Sequence, residues 1–202
     1  MLPTVTLIQG MYVATGVAVL TALLGFIDIA AEGWANSIDI RVGRAVVAHR
    51  TRHETSIMRT ASWFGGPYGI LLAVSLFIVW RLQDKHMQDA LLFTYATLFT
   101  VLYVLVVKLI TARKRPTLKV IEIERTYSFP SAHTLISTFV YGVLAGTLMG
   151  NGQAGSWILV AYFSLIALIG LSRIYLGCHY LSDVLGGALG GAVLAQLFLL
   201  IR

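Results

Sequence analysis

Long apolar blocks separated by short polar segments constrain the fold of this sequence more than any other feature. Six blocks are candidate membrane spans, at residues 10–31, 67–80, 90–107, 134–149, 157–171 and 184–201. Such blocks suit helices that cross the roughly 30 Å hydrocarbon core of a bilayer. A soluble core would interleave apolar and polar positions at helical or strand period. The sequence therefore predicts an all-α, integral-membrane bundle of six transmembrane helices.

The composition agrees with this class. Of the 202 residues, 57% are hydrophobic and 12% are charged, about half the charged fraction of soluble domains. The length predicts a single domain over residues 1–202. The block at 10–31 lacks a basic leader and a small-residue cleavage site, so we expect it to be a retained span. The net charge of +6 suits anionic lipid headgroups, and no soluble domain is present to bind nucleic acid.

Two of the predicted loops are strongly basic. Residues 32–62 and 108–130 together hold 11 of the 15 basic residues. In an up-and-down bundle both loops emerge on the same side. The first half of the loop at 32–62 also alternates arginine with apolar residues such as Ile38, Val42 and Val46. This mixture predicts a short interfacial helix in the first loop.

Three short stretches carry residues suited to phosphate chemistry. The first is Lys108, followed seven residues later by Arg115 and then Pro116. If the third span continues as a helix past Lys108, the two cations share one face, about 10 Å apart along the axis. Pro116 disfavours helix at Arg115, so the helix is expected to end there.

The second stretch, residues 129–134, opens the fourth predicted span. Pro130 and Ser131 are helix-start signals, and a helix N-terminus offers unpaired N–H groups to an anion. His133 falls in the first turn, where it can donate or accept a proton. The third stretch contains Arg173, a planar anion clamp, and then His179 and Asp183. Spaced four apart, this pair shares a helical face, so the carboxylate can orient the imidazole.

In order and spacing, these stretches resemble the signature of the type-2 phosphatidic acid phosphatase superfamily, the lipid phosphate phosphatases. The family pattern reads K-x6-R-P, then P-S-G-H, then S-R-x5-H-x3-D, in proteins that usually have six spans. The resemblance covers about 75 residues of this chain. Eight or more matched positions in three spaced blocks are far more specific than a lone short motif.

The resemblance implies a metal-independent lipid phosphatase with a phosphohistidine intermediate. His179 attacks phosphorus, Asp183 orients it, and His133 protonates the leaving oxygen and then deprotonates water. The phosphoryl oxygens are held by the remaining matched residues, which are Lys108, Arg115, Ser131, Ala132 and Arg173. Several cations then replace the magnesium of kinases. No cluster in the sequence has metal-ligand spacing, so no metal and no other cofactor are expected.

Ala132 departs from the family pattern, which has glycine there. Alanine retains the backbone N–H but disfavours positive φ. If the position is helical, the change should be tolerated; if it requires positive φ, phosphate affinity or rate should suffer.

Other interpretations remain open at this stage. Arg113 and Lys114, which the pattern leaves free, are assigned to a basic loop that sets topology. Cys178 is expected to pack as a small buried hydrophobe. A membrane transporter or binding protein for phosphorylated lipids would also have an anion pocket, although it would not need a histidine oriented by aspartate. A vanadate-dependent oxidant shares the motifs, but such enzymes are typically soluble.

The expected partners are the bilayer and a phosphorylated lipid: undecaprenyl pyrophosphate, phosphatidate, phosphatidylglycerophosphate or phosphorylated lipid A. The sequence selects neither among these nor an oligomeric state. The count of basic residues predicts a cytoplasmic active face, whereas the family works on the opposite face. Because catalysis and anionic lipids explain much of the basic charge, we expect a bacterial inner-membrane protein with an extracytoplasmic active site.

Overall fold

The computed structural model describes residues 34–152 and 155–202. Within these ranges the chain forms seven α-helices and no β-strand. The helices are α1 (Trp34–Ala48), α2 (Arg52–Gly65), α3 (Pro67–Gln83), α4 (Met87–Thr111), α5 (Ala132–Gly150), α6 (Trp157–Tyr175) and α7 (Leu181–Ile201). The all-α prediction is confirmed for this part of the chain. The predicted span at 10–31 lies outside the described residues.

Four helices, α4 to α7, are long and apolar enough to cross a membrane. Each contains one of the spans predicted at 90–107, 134–149, 157–171 and 184–201. The span predicted at 67–80 lies in α3, which meets the same criteria only together with α2, and the two helices are bent by 47°. The described residues therefore provide four spans, or five if the bent pair is one span, and the predicted count of six is not confirmed.

The first predicted loop is helical in both halves. Helix α1 covers the segment for which a short interfacial helix was predicted, and its position relative to the bilayer remains a prediction. Helix α2 begins at a capping box: the Thr51 hydroxyl accepts from the Glu54 N–H at 3.2 Å, and the Glu54 carboxylate accepts from the Thr51 N–H at 3.2 Å. This T-x-x-E arrangement satisfies two backbone donors at the start of a helix.

Helix α4 ends earlier than the sequence predicted. Its last residue is Thr111, and Ala112 adopts a left-handed conformation with φ 45°, its N–H bonded to the Lys108 carbonyl. Arg115 therefore lies in the α4–α5 loop (residues 112–131), and the prediction of a helix as far as Arg115 is wrong. A left-handed residue closes a helix by turning the chain away from its axis, and here it directs the loop across the end of the bundle.

Helices α5 and α7 pack with their backbones in close contact. A Cβ atom on Gly187 would lie 2.8 Å from the Ser131 carbonyl oxygen, and one on Gly191 would lie 2.3 Å from that of Leu135. Only glycine fits such an approach. The contact sets the starts of α5 and α7 side by side, and the Ser131 N–H donates to the Asp183 carbonyl at 3.0 Å.

Candidate active site

The three motif stretches meet at one end of the helix bundle. Lys108 lies near the end of α4, His133 in the first turn of α5, and Arg173 near the end of α6. His179 precedes α7, and Asp183 is its third residue. Residues separated by up to 75 positions thus share one polar cluster under the α4–α5 loop.

His179 and Asp183 form the buried pair that the spacing predicted. His179 Nδ1 lies 3.4 Å from Asp183 Oδ2, and both side chains are inaccessible to solvent. The prediction that the two residues share a helix is wrong, because α7 begins after His179 with Tyr180 as its N-cap. The other ring nitrogen, His179 Nε2, lies 3.1 Å from Arg115 Nη1. Its lone pair therefore faces the cations.

Other groups besides His179 also hold the Asp183 carboxylate. Its Oδ2 accepts from the Ser128 hydroxyl at 2.5 Å and from the Tyr180 N–H at 2.8 Å. Its Oδ1 accepts from Arg113 Nη1 at 2.5 Å. The assignment of Arg113 to a topogenic loop is therefore wrong, since its guanidinium reaches the carboxylate at the centre of the site. The sequence offered no signal for this contact, because Arg113 lies outside the family pattern.

Glu124 lies at the centre of the cation cluster, and sequence reasoning missed it. Its Oε2 forms an ion pair with Arg115 Nη2 at 2.6 Å, and its Oε1 pairs with Arg173 Nη2. The same two oxygens lie 3.8 Å from the histidines, Oε1 from His133 Nδ1 and Oε2 from His179 Nε2. A carboxylate thus occupies the place between two imidazoles and two guanidiniums where a phosphoryl group is expected.

Arg173 is almost completely buried, and its guanidinium links three elements. Nη1 donates to the Ser62 hydroxyl on α2 and, at 3.3 Å, to Glu122 in the α4–α5 loop. Its Nε is buried and meets no acceptor among the described residues. An unsatisfied buried donor is costly.

The other predicted phosphate ligands lie near the cluster with different exposure. The Lys108 ammonium donates to the backbone carbonyls of Tyr127 and Ser128, so it currently holds the loop. Ser131 is fully buried as the N-cap of α5, and its hydroxyl accepts from Thr134 at 3.1 Å. Ala132 is the first residue of α5 and lacks positive φ, which is the case in which alanine is tolerated.

The electrostatic setting favours a neutral His179 and a charged Glu124. Burial lowers the pKa of His179, against the opposing effect of Asp183. For Glu124, burial raises the pKa, but the positive charge of Arg173 and Arg115 outweighs it and the net pKa is lowered. Burial raises the pKa of Cys178 to about 11. The thiol therefore stays protonated, as expected for a packing residue rather than a nucleophile.

Two large cavities adjoin the cluster. An apolar groove of about 580 Å³ runs between α3, α4 and α5, from Ile78 and Thr94 to His133. Gly66, at the break between α2 and α3, also lines it. A second cavity of about 730 Å³ is lined by Lys108, Arg115, Glu124 and further basic residues of the α4–α5 loop. The polar cluster therefore lies between an apolar groove and a basic cavity.

Comparison with known proteins identifies the family. The sequence model of the PAP2 superfamily matches residues 89–202, more than half of the chain and all eight predicted site residues. The chain therefore belongs to the PAP2 superfamily, and the resemblance inferred from the motifs is confirmed. Together with the apolar helices, this makes it an integral membrane protein.

Individual relatives agree with this assignment. The chain is 34% identical over 79 residues to phosphatidylglycerophosphatase B of Bacillus subtilis (strain 168), and the match covers 37% of this chain and 39% of the relative. The fold is similar to the crystal structure of the first transmembrane PAP2 type phosphatidylglycerolphosphate phosphatase from Bacillus subtilis, with a TM-score of 0.82 and 24% identity over 93% of this chain and 94% of that one. It is also similar to Aquifex aeolicus LpxE, with a TM-score of 0.62 and 19% identity over 79% and 93% of the two chains.

Proposed function

We propose that this protein is a lipid phosphatase that hydrolyses a lipid mono- or diphosphate through a phosphohistidine intermediate, without a metal. The observation that carries the proposal is the position of His179. Its Nδ1 faces a buried aspartate, its Nε2 faces Arg115, and a second histidine lies across the same anion-binding position. An anion-binding pocket alone needs cations and donors but no nucleophile oriented in this way.

The geometry supports a two-step reaction. In the first step His179 Nε2 forms a bond to phosphorus, the bond from phosphorus to the leaving oxygen breaks, and His133 gives that oxygen a proton. In the second step His133 takes a proton from water, the water oxygen bonds to phosphorus, and the phosphorus–nitrogen bond breaks. Inorganic phosphate leaves and both histidines return to their starting states. Arg115 and Arg173 neutralise the equatorial oxygens throughout, which is the main requirement of phosphoryl transfer.

Substrate binding has to replace contacts that the protein makes with itself. The Glu124 carboxylate occupies the anion position, and an Arg115 N–H points at the His179 lone pair. A phosphate monoester carries a charge of about −1.5 to −2 and three strong acceptor oxygens, against a single negative charge for Glu124. It can therefore displace the carboxylate, and the free Nε donor of Arg173 offers it a further contact.

The apolar groove favours a lipid as the substrate. It ends at His133 and lies between helices that are apolar enough to face acyl chains. A tail in this groove would place its phosphate at the polar cluster, by lateral entry from the bilayer. The basic cavity on the other side suits the remainder of an anionic headgroup. The names of the curated match and of the first solved structure both describe a phosphatase of phosphatidylglycerophosphate from Bacillus subtilis. This lipid is therefore the first candidate to test, before phosphatidate, undecaprenyl pyrophosphate and phosphorylated lipid A.

We place the active site on the extracytoplasmic face of a bacterial inner membrane. Ile123, next to Glu124, is 88% exposed, so a cysteine there can report the face. An impermeant thiol reagent should label Ile123→Cys in intact cells and should not label Gln83→Cys, at the other end of α3. The reverse pattern would put the site in the cytoplasm. Cys178 is buried and does not compete for the label.

Phosphate release from a panel of lipid phosphates tests the activity. The assay contains EDTA and compares wild type, His179→Ala and His86→Ala, the last an exposed histidine at the opposite end of the bundle. Release by wild type and His86→Ala but not by His179→Ala is expected. Equal release by all three would exclude His179 as the nucleophile. No release by any protein would favour a binding or transport role, and loss of activity in EDTA would refute metal independence.

A further inference from the structure

We propose that Arg113, held by Asp39, is a positioning residue for the reaction: it fixes the Asp183 carboxylate, which in turn orients His179. Neither residue belongs to the motifs, and Asp39 lies outside the segment that the family model matches. The inference rests on the proposed function, but its test includes a measurement that needs no turnover.

The geometry is that of a guanidinium bridging two buried carboxylates. Arg113 Nη1 donates to Asp183 Oδ1 at 2.5 Å, and Nη2 donates to Asp39 Oδ2 at 2.8 Å. The guanidinium also lies over the Tyr180 ring, 4.6 Å from its centroid. A planar guanidinium held at both nitrogens and stacked on a ring has little freedom to move. It therefore imposes an orientation on the carboxylate that it contacts.

Asp39 is fixed in its turn by the first turn of α7. Its Oδ1 accepts from the Ser182 N–H at 3.0 Å, and its Oδ2 accepts from the Ser182 hydroxyl at 2.6 Å. A carboxylate at a helix N-terminus is stabilised by the unpaired N–H groups there. Asp39, on helix α1, is thus fixed to Ser182, the residue that precedes Asp183. From this position it holds Arg113.

The contacts of the other carboxylate oxygen of Asp183, Oδ2, explain why the carboxylate needs to be held by Arg113. Oδ2 is shared among the Ser128 hydroxyl, the Tyr180 N–H and His179, and the contact with His179 is the longest of the three at 3.4 Å. With Arg113 removed, Oδ1 would lose its ion pair and the carboxylate could rotate toward its other donors. Misplacement of a reacting group by about 1 Å can cost about a hundredfold in rate.

The charges of Arg113 and Asp39 predict that removing one or the other shifts the pKa of His179 in opposite directions. The charged groups that face this imidazole are Asp183 from α7 and Arg115 and Glu124 from the α4–α5 loop. Removing the Arg113 cation leaves the negative charge of Asp183 less neutralised, so the imidazolium gains stability and the pKa of His179 should rise. Removing the negative charge of Asp39 leaves the Arg113 cation less neutralised beside Asp183, so this pKa should fall. A residue with only a packing role would not give opposite signs.

The test compares Arg113→Ala, Arg113→Lys and Asp39→Asn with Arg41→Ala, which removes an exposed cation of α1 two residues after Asp39. For Arg113→Ala we expect kcat to fall by roughly 10- to 100-fold with KM changed less than about threefold, and the acidic limb of kcat/KM to move to higher pH. Asp39→Asn should move that limb to lower pH. Arg113→Lys retains the charge, and because an ammonium cannot bridge both carboxylates in one plane, it should still lose part of kcat.

A titration of His179 by NMR on histidine-labelled protein gives the same shifts without catalysis, and thermal unfolding reports whether each variant is folded. If wild type releases no phosphate, the proposed function fails while the titration still tests the positioning role. Folded Arg113→Lys and Asp39→Asn proteins whose kcat and His179 titration match those of Arg41→Ala would overturn the inference. If Arg113→Ala does not fold, these two variants decide the matter.

Discussion

The Glu124 carboxylate forms an ion pair with the Arg115 guanidinium at 2.6 Å, in the position where the proposed chemistry needs a phosphoryl group. The other oxygen of Glu124 pairs with Arg173, and each oxygen lies 3.8 Å from one of the two histidines. A negatively charged side chain among these cations removes much of the cost of burying them without a ligand. The same contacts make Glu124 a competitor of the substrate.

Replacing Glu124 with glutamine is therefore expected to tighten phosphate binding. If the Glu124 carboxylate occupies the anion position about nine-tenths of the time, it weakens the apparent affinity for any other anion by about tenfold. The KM for the lipid phosphate and the inhibition constant for orthophosphate should both fall in Glu124→Gln, and by the same factor. Steady-state kinetics with added orthophosphate measure both quantities.

Glu122→Gln provides the matched control for this prediction. Glu122 lies two residues away and also contacts Arg173, at 3.3 Å, but no contact joins it to either histidine among the described ion pairs. Its replacement should change both constants less than that of Glu124. A fall in kcat with unchanged constants in Glu124→Gln would instead identify Glu124 as part of the chemical step.

Replacing His133 with alanine should separate the two proton transfers. General acid–base catalysis contributes about 10²- to 10⁴-fold, and a lipid alkoxide needs a proton in order to leave. An aryl phosphate has a leaving group that departs without one. The first step with an aryl phosphate should therefore survive in His133→Ala, measured as a burst of phenol, while turnover of the lipid phosphate falls. Equal losses with both substrates would contradict the assignment of His133 as the acid.

Filling the apolar groove should affect lipids selectively. Val74 lines the groove on α3, whereas Leu76 on the same helix faces outward. Val74→Trp is expected to raise KM for a long-chain lipid phosphate with little effect on a short, water-soluble phosphate, because only the long chain enters the groove. Leu76→Trp should leave both unchanged. If Val74→Trp has no effect on the long-chain substrate, its tail binds elsewhere.

Restoring the family glycine at position 132 should have little effect on activity. Ala132 begins α5 without positive φ, so its N–H is already presented as a glycine would present it. Ala132→Gly should therefore change KM less than about twofold and lower stability by up to about 1 kcal/mol, the helical cost of glycine. Kinetics and thermal unfolding measure the two effects. A large gain in phosphate affinity would show that the alanine methyl obstructs the site.

The sequence predicted the reacting residues better than the helices and loops that bring them together. The pairing of His179 with Asp183 followed from spacing, and it forms even though only Asp183 lies on a helix, because the extended N-cap at Tyr180 turns the imidazole back. The placement of Arg115 on a helix was wrong, since α4 ends at a left-handed Ala112, a position where the sequence has no glycine to mark the end of the helix. Glu124, in the α4–α5 loop, and Asp39, on α1, were missed because a single acid outside any motif carries no signal of its function.

Some helix boundaries could likewise be predicted from the sequence and others could not. Apolar blocks long enough to span a bilayer located α4 to α7 because hydrocarbon thickness fixes their length. The break at Gly66 was not predicted, although Pro67 disfavours helix at the residue before it, and Gly66 is extended there with ψ 173°. The sequence contains a capping box at Thr51 and Glu54. This pattern is a signal for the start of α2 within the segment that was predicted to be a loop.

Direct detection of the covalent intermediate tests the central claim, that His179 is a nucleophile in a phosphoryl-transfer site. In a His133→Ala background the second step lacks its base, so a ³²P-labelled aryl phosphate should leave acid-labile, base-stable label on the protein after rapid quenching. Replacing His179 with alanine in the same background should abolish the label. Absence of label with His179 present, or equal label without it, would contradict the mechanism proposed for this site.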